Sequence, residues 1–116
     1  MPIALSRGLA ALALAATALG AIAAPPADGR QRVVIQVSDN DPGKWNLALN
    51  NARNVQADLG MDNVDVEVVA YGPGLPMLRK ESAVAPRIAR ASSQGVTVLA
   101  CENTMKNTKV DPDQIL

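Results

Sequence analysis

The stretch Arg32-Val33-Val34-Ile35-Gln36-Val37-Ser38 opens the pattern that decides the fold. Its β-branched residues form a short apolar run instead of a strict alternation with polar ones, and such a run is typical of a strand buried on both faces. We therefore expect this strand to be central in its sheet.

The helix that follows is the best specified element of the chain. Asp41 is expected to cap it, Pro42 to take its first position and Gly60 to end it. The apolar residues between them include the spacing of one helical face; they are Trp45, Leu47, Ala48, Leu49, Ala52, Val55 and Leu59. Trp45 is expected to pack in the core on this face.

Two further strands are predicted, over residues 64–71 and 96–100. A short helical turn over residues 75–79 and a helix over residues 84–94 separate them, and another short helix is predicted over residues 104–108. Strand, helix, strand, helix, strand is the order that builds right-handed parallel crossovers. The predicted fold class is therefore α/β, as a small three-layer sandwich with a mainly parallel sheet.

The carboxyl ends of the predicted strands carry the residues of interest. In an open parallel sheet these ends meet at one edge, where ligands bind. Ser38, Tyr71-Gly72 and Cys101 each end a predicted strand. We expect them to gather along that edge.

The amino-terminal segment has the pattern of a cleavable signal peptide over residues 1–23. Arg7 adds positive charge before an Ala- and Leu-rich run, and Ala21-Ile22-Ala23 offers small residues before the cleavage site. The run is shorter than the roughly 20 residues of a spanning helix, so no stable membrane anchor is expected after cleavage. Residues 24–31 would form a short linker and residues 32–116 a domain that is periplasmic or secreted.

Charge and composition exclude several functions. The chain has 11 basic and 11 acidic residues and no basic block, so nucleic acid is not an expected partner. It has no histidine, which rules out hydrolases that need an imidazole base. One cysteine and no histidine also give no zinc site, and we expect no metal and no cofactor.

Cys101 is the only cysteine, and three interpretations of it remain open from the residues alone. It is a candidate nucleophile if the segment from Asn103 turns helical, since a helix amino terminus favours a thiolate, although the neighbouring Glu102 opposes it. The second interpretation, which the residues support equally, is a small buried residue that ends a core strand. The third interpretation is a disulfide between two chains in an oxidising compartment.

Several separated segments resemble the DsrE/DsrF-like family of small sulfur-relay proteins, and in particular its exported branch. The resemblance covers about residues 32–116. It is carried by Val68-Val69-Ala70-Tyr71-Gly72-Pro73-Gly74-Leu75, by Gly95-Val96 and Ala100-Cys101-Glu102-Asn103-Thr104-Met105, and by Trp45-Asn46 and Leu49-Asn50-Asn51-Ala52.

The resemblance implies a DsrE/YchN-like fold that assembles into homo-oligomers, either trimers or hexamers. It implies that Cys101 carries sulfur as a persulfide, in a pocket lined by Tyr71, Gly72, Gly74, Asn103 and Thr104. The implied function is a periplasmic sulfur carrier or sulfurtransferase-like protein with sulfur donor and acceptor proteins as partners. The alternative is a non-catalytic oligomeric binding or assembly module with a structural cysteine. Family domains usually continue through another strand and helix, which residues 32–116 are expected to lack.

Overall fold

Three parallel strands form the sheet in a computed structural model, which describes Gly20 and residues 28–116. The strands are β1 (Gln31–Val37), β2 (Val64–Ala70) and β3 (Val96–Ala100), and they lie in the order β1-β2-β3. The last residues of all three strands share one register. Their carboxyl ends therefore lie at one edge of the sheet.

In the described part of the chain, three α-helices and three short 3₁₀ helices connect and follow the strands. The α-helices are α1 (Pro42–Leu59), α2 (Ala85–Ser93) and α3 (Glu102–Thr108), and the 3₁₀ helices are Met61–Asn63, Gly72–Leu78 and Pro112–Gln114. Helix α1 packs on β1 and β2, α2 packs on β3, and the two helices contact each other. The predicted α/β class with a parallel sheet is confirmed, and the arrangement is consistent with a three-layer α/β sandwich.

The core lies between the helices and the sheet. Alternate residues of β2 are buried, as expected for a strand with one face turned toward packed helices. The buried apolar residues include Val64, Val66, Val68 and Ala70 of β2, Trp45, Ala48, Leu49 and Ala52 of α1, and Met77, Leu78 and Ile88 beyond β2. Trp45 packs in this core as predicted, and its indole N–H donates to the carbonyl of Asp39 at 2.7 Å.

The prediction that the first strand is central was wrong. Strand β1 pairs only with β2 among the described strands, and Val34 is 57% exposed. The central strand is β2, whose Asp65 and Glu67 alternate with buried valines. The apolar run in β1 reflects β-branched strand propensity, which does not depend on whether a strand has one neighbour or two.

The amino-terminal end of the sheet is fastened by Arg30. Its guanidinium donates to the Asp65 carboxylate at 2.9 Å and to the carbonyls of Asp62 at 2.6 Å and Val64 at 2.9 Å. A planar guanidinium can make several such bonds at once. Arg30 therefore ties the chain just before β1 to the start of β2.

The predicted signal peptide lies outside the described residues, apart from Gly20, as do residues 24–27 of the predicted linker. Within the described part of the chain, none of the helices combines the length and the apolar character needed to cross a membrane.

Both predicted ends of α1 are confirmed. The Asp41 carboxylate accepts hydrogen bonds from the backbone N–H groups of Gly43 at 2.8 Å and Lys44 at 3.4 Å, and Pro42 begins the helix. At the other end Gly60 has φ 87°, a left-handed conformation that favours glycine. The helix thus begins and ends where local sequence signals place it.

Replacing Asp41 by alanine should destabilise the domain by about 1 kcal/mol, because two backbone N–H groups lose their acceptor. Thermal unfolding followed by circular dichroism should show a melting temperature lower by about 4–8 °C. Asp58→Ala is the matched control, since it removes the same charge from the last turns of α1 without touching the cap. Equal losses in the two variants would contradict the capping role.

Candidate functional site

The candidate site lies where the ends of the three strands meet. The backbone N–H of Tyr71 donates to the carbonyl of Val37 at 3.1 Å, and that of Cys101 donates to the carbonyl of Ala70 at 3.0 Å. These bonds continue the sheet ladder one residue beyond the strands. Tyr71 and Cys101 are thereby held by the sheet at the edge where the sequence places them.

Cys101 occupies the amino-terminal cap of α3 and is half-buried. Its backbone is extended, with φ −70° and ψ 115°, and the helix begins at the next residue. The sequence predicted this helix two residues later, from Thr104. The earlier start brings the thiol to the first turn, where backbone N–H groups have no partner within the helix.

The pKa of the Cys101 thiol is lowered from its ordinary value. The main cause is the backbone N–H of Thr104, followed by the Thr104 hydroxyl, and Asn103 contributes a backbone N–H as well. Burial and the Glu102 carboxylate act in the opposite direction. The thiol makes no full capping hydrogen bond, so these groups act as nearby donors that favour the thiolate.

Thr104 joins α3 to the loop after β2. Its hydroxyl oxygen accepts a hydrogen bond from the backbone N–H of Gly72 at 2.9 Å. Gly72 has φ 52°, a left-handed conformation that costs other residues energy. The Thr104 hydroxyl, which lowers the pKa of the Cys101 thiol, is therefore held in place by the backbone N–H of Gly72 in the loop after β2.

The other predicted pocket residues have different settings. Gly74 is buried, and a Cβ atom there would lie 2.1 Å from the carbonyl oxygen of Val37, so this glycine permits close packing against the end of β1. Tyr71 is half-buried, and its backbone joins the ladder. Asn103 is exposed. The structure thus brings Gly72 and Thr104 together beside Cys101, whereas Gly74 serves the packing of β1.

Two open clefts flank α3. One, of about 460 Å³, is lined by Asn40, Gly72, Pro73, Leu75, Pro76, Arg79, Thr108 and Val110. The other, of about 810 Å³, is lined by Ala100, Glu102, Met105, Lys106, Lys109, Val110, Asp111 and Pro112. Cys101 lines neither, so its thiol lies beside the clefts and not inside them.

The side chains at the larger cleft were not among the predicted site residues. Glu102, Met105, Lys106 and Lys109 line it, and their spacing is that of one helical face. This signal was available in the sequence, but the helix was predicted to begin too late to include Glu102. The cleft next to the thiol-bearing residue thus carries two lysines and two carboxylates, the latter from Glu102 and Asp111.

The chemistry available at this edge is that of a thiol. Among the described residues, no group of three or more His, Cys, Asp or Glu side chains is placed to hold a metal ion. A thiolate is an effective nucleophile, and its reactivity follows its pKa and exposure. The arrangement therefore suits attack by the Cys101 sulfur on a partner that reaches this edge.

Substitutions beside Cys101 should move its reactivity in opposite directions. Thr104→Val removes a hydroxyl that lowers the pKa of the thiol, so alkylation at neutral pH should slow several-fold and the pH profile should move upward. Glu102→Gln removes an opposing carboxylate and should move the profile downward. Alkylation rates of the native protein against pH measure both shifts. If the pH profiles of alkylation moved in the same direction in both variants, the causes assigned to the lowered pKa of Cys101 would be contradicted.

Comparisons with known proteins found a solved structure with a similar fold. Neither the family models nor the curated proteins gave a match to this chain. The structure is similar to that of MTH1491 from Methanobacterium thermoautotrophicum, described as a protein of unknown function. The two chains are 36% identical over 74% of this chain and 76% of the other, with a TM-score of 0.69.

Proposed function

We propose that this chain, which belongs to the same family as MTH1491 of Methanobacterium thermoautotrophicum, is a sulfur carrier or sulfurtransferase-like protein. It would hold sulfane sulfur on Cys101 as a persulfide. MTH1491 is described as a protein of unknown function, so the support for this proposal comes from the site of the present chain.

The observation that carries the proposal is the position of Cys101. A partly exposed thiol caps a helix at the edge where three strands end, and nearby N–H and hydroxyl groups lower its pKa. A thiol that served only as a small core residue would gain nothing from donors that favour its charged form. This setting supports a role in which the thiolate reacts.

The proposed reaction is an exchange at sulfur. The Cys101 thiolate attacks the outer sulfur of a persulfide donor, a new S–S bond forms at Cys101, and the S–S bond of the donor breaks. The donor leaves as a thiolate, and the proton of its persulfide remains with the transferred sulfur or passes to the leaving thiolate. No oxidant, reductant or second cysteine is required, because the reaction is a thiol exchange.

The residues around Cys101 fit this exchange. The donors that favour the thiolate are also available to the persulfide anion that replaces it, because both place negative charge on sulfur at the start of α3. The larger cleft beside α3 offers a partner both signs of charge, from Lys106 and Lys109 and from Glu102 and Asp111.

The DsrE/DsrF-like resemblance supports further parts of the proposal. It favours a homo-oligomer of three or six chains, with separate proteins as sulfur donor and acceptor. The signal-peptide pattern over residues 1–23 favours a periplasmic or secreted location.

Two measurements on the purified protein test the proposal. After incubation with a persulfide donor, intact-mass spectrometry should show a gain of one sulfur atom, removable by a reductant. The native thiol should also react with an alkylating reagent without prior unfolding. A protein that takes up no sulfur, and whose thiol reacts only after unfolding, would instead be an assembly module with a structural cysteine.

A further inference from the structure

Helices α1 and α2 carry a concentration of positive charge that the thiol chemistry does not use. They contain Lys44, Arg53, Arg87 and Arg90, and their one acidic residue is Asp58. The chain as a whole has as many acidic as basic residues. Its basic residues are therefore unevenly distributed, with an excess where the two helices contact each other.

Three of these arginines line one small cavity between the helices. Its volume is about 60 Å³, and its lining is Leu49, Arg53, Gln56, Arg87, Arg90, Ala91, Gln94 and Val96. The lining contains no acidic side chain. The cavity thus combines three positive charges with neutral polar and apolar groups.

The arginine at the helix contact is held in position. Arg87 donates to the side-chain carbonyl oxygens of Asn46 at 2.5 Å and Asn50 at 2.7 Å. Arg53 lies three residues after Asn50 on α1, and Arg90 lies three residues after Arg87 on α2. Residues three apart on a helix are neighbours on its surface, so both arginines lie on the same side of their helices as this contact.

The remaining walls are also ordered. Gln56 is 6% exposed, and its side-chain N–H donates to the backbone carbonyl of Gln94 at 2.8 Å. Leu49 and Val96 are buried and supply an apolar floor. Above this floor the side chains of Arg53 and Arg90 are exposed and that of Arg87 is half-buried, so an anion can reach the guanidinium groups from solvent.

Four basic residues outside this cavity have carboxylate partners, whereas Lys80, Lys106 and Lys109, like the cavity arginines, have none among the described residues. Arg30, Arg32, Lys44 and Arg79 each form an ion pair with a carboxylate. Among the described residues, none of the three cavity arginines forms one; Arg87 has amide partners only. Bringing three like charges together is unfavourable unless an anion or solvent compensates them.

We propose that this cavity is a binding site for one small tetrahedral oxyanion, of the sulfate and phosphate class. Guanidinium groups match such oxyanions through paired N–H donors. The cavity has room for a single group of this size, not for a polymer. It borders Val96 at the start of β3, whereas Cys101 follows the end of that strand, so the anion site is separate from the thiol site.

A titration of the full ¹⁵N-labelled chain tests this inference. Sodium sulfate and inorganic phosphate are added in separate arms at constant ionic strength, with chloride as the replaced anion, and the arginine side-chain N–H signals are followed by nuclear magnetic resonance. The signals of Arg53, Arg87 and Arg90 should shift and saturate. An acetate arm should saturate at clearly higher concentration, since a planar carboxylate does not match the proposed shape.

Variants identify the residues responsible. Arg53→Gln and Arg90→Gln should each weaken the binding of sulfate and phosphate roughly tenfold, as expected for loss of a charge-assisted contact. Arg32→Gln removes the same charge from β1 and should leave the affinity unchanged. Shifts that grow linearly without saturation, equal binding of acetate, or equal weakening by Arg32→Gln would each overturn the proposal. Because the readout does not involve Cys101, it stands apart from any result on sulfur uptake.

Discussion

Replacing Cys101 by serine is expected to reduce sulfur uptake from one atom per chain to none. The chain has no other cysteine, so no second thiol can accept sulfane sulfur. The fold should survive, because Cys101 caps α3 and serine is a preferred residue at that position. Intact-mass spectrometry after incubation with a persulfide donor measures the loss, and circular dichroism measures the stability.

The serine variant separates chemistry from folding. Unchanged or higher thermal stability with no sulfur uptake would identify the thiol as the acceptor. Sulfur retained by the variant would contradict the proposed role of Cys101. Thr104→Val serves as a second comparison, since it keeps the thiol and should slow uptake at neutral pH without abolishing it.

Gly74→Ala should produce the largest loss of stability among the glycine substitutions. An added Cβ would lie 2.1 Å from the carbonyl oxygen of Val37 and 2.6 Å from its carbonyl carbon, and both are backbone atoms. The loop and the end of β1 must therefore separate. We expect a loss of about 3 kcal/mol, the upper end of overpacking effects, measured by chemical denaturation.

Gly72→Ala is the matched control in the same loop. Its Cβ would meet no atom within 4 Å, so the cost comes only from the left-handed backbone and should be about 1 kcal/mol. If Gly74→Ala were no more destabilising than Gly72→Ala, the close approach to β1 would not be the reason for glycine at position 74. A melting temperature measured for each variant gives an independent ranking.

Local signals predicted the helices and strands well. Asp41, Pro42 and Gly60 mark the ends of α1, and each acts through neighbours in sequence. The order of the strands was harder to predict. The run in β1 has the composition of a buried strand, yet only pairing decides which strand is central, and pairing joins residues that are far apart in the chain.

The site was predicted in part. The sequence placed Tyr71-Gly72 and Cys101 at strand ends, and the parallel register brings those ends together. The role of Gly74 could not be predicted, because it depends on the approach of Val37 from a separate strand. The arginine cavity is also a product of packing, since its charges come from two helices whose contact no local pattern specifies.

The hydrogen bonds of Arg30 have a consequence for access to the thiol of Cys101. They fix the point at which the chain enters the sheet at the start of β1. Cys101 stands at the opposite end of the strands, about 23 Å away for seven residues of extended chain. The chain at Arg30 and the thiol of Cys101 therefore lie at opposite ends of the strands, so the contacts that hold Arg30 leave the thiol edge of the sheet uncovered.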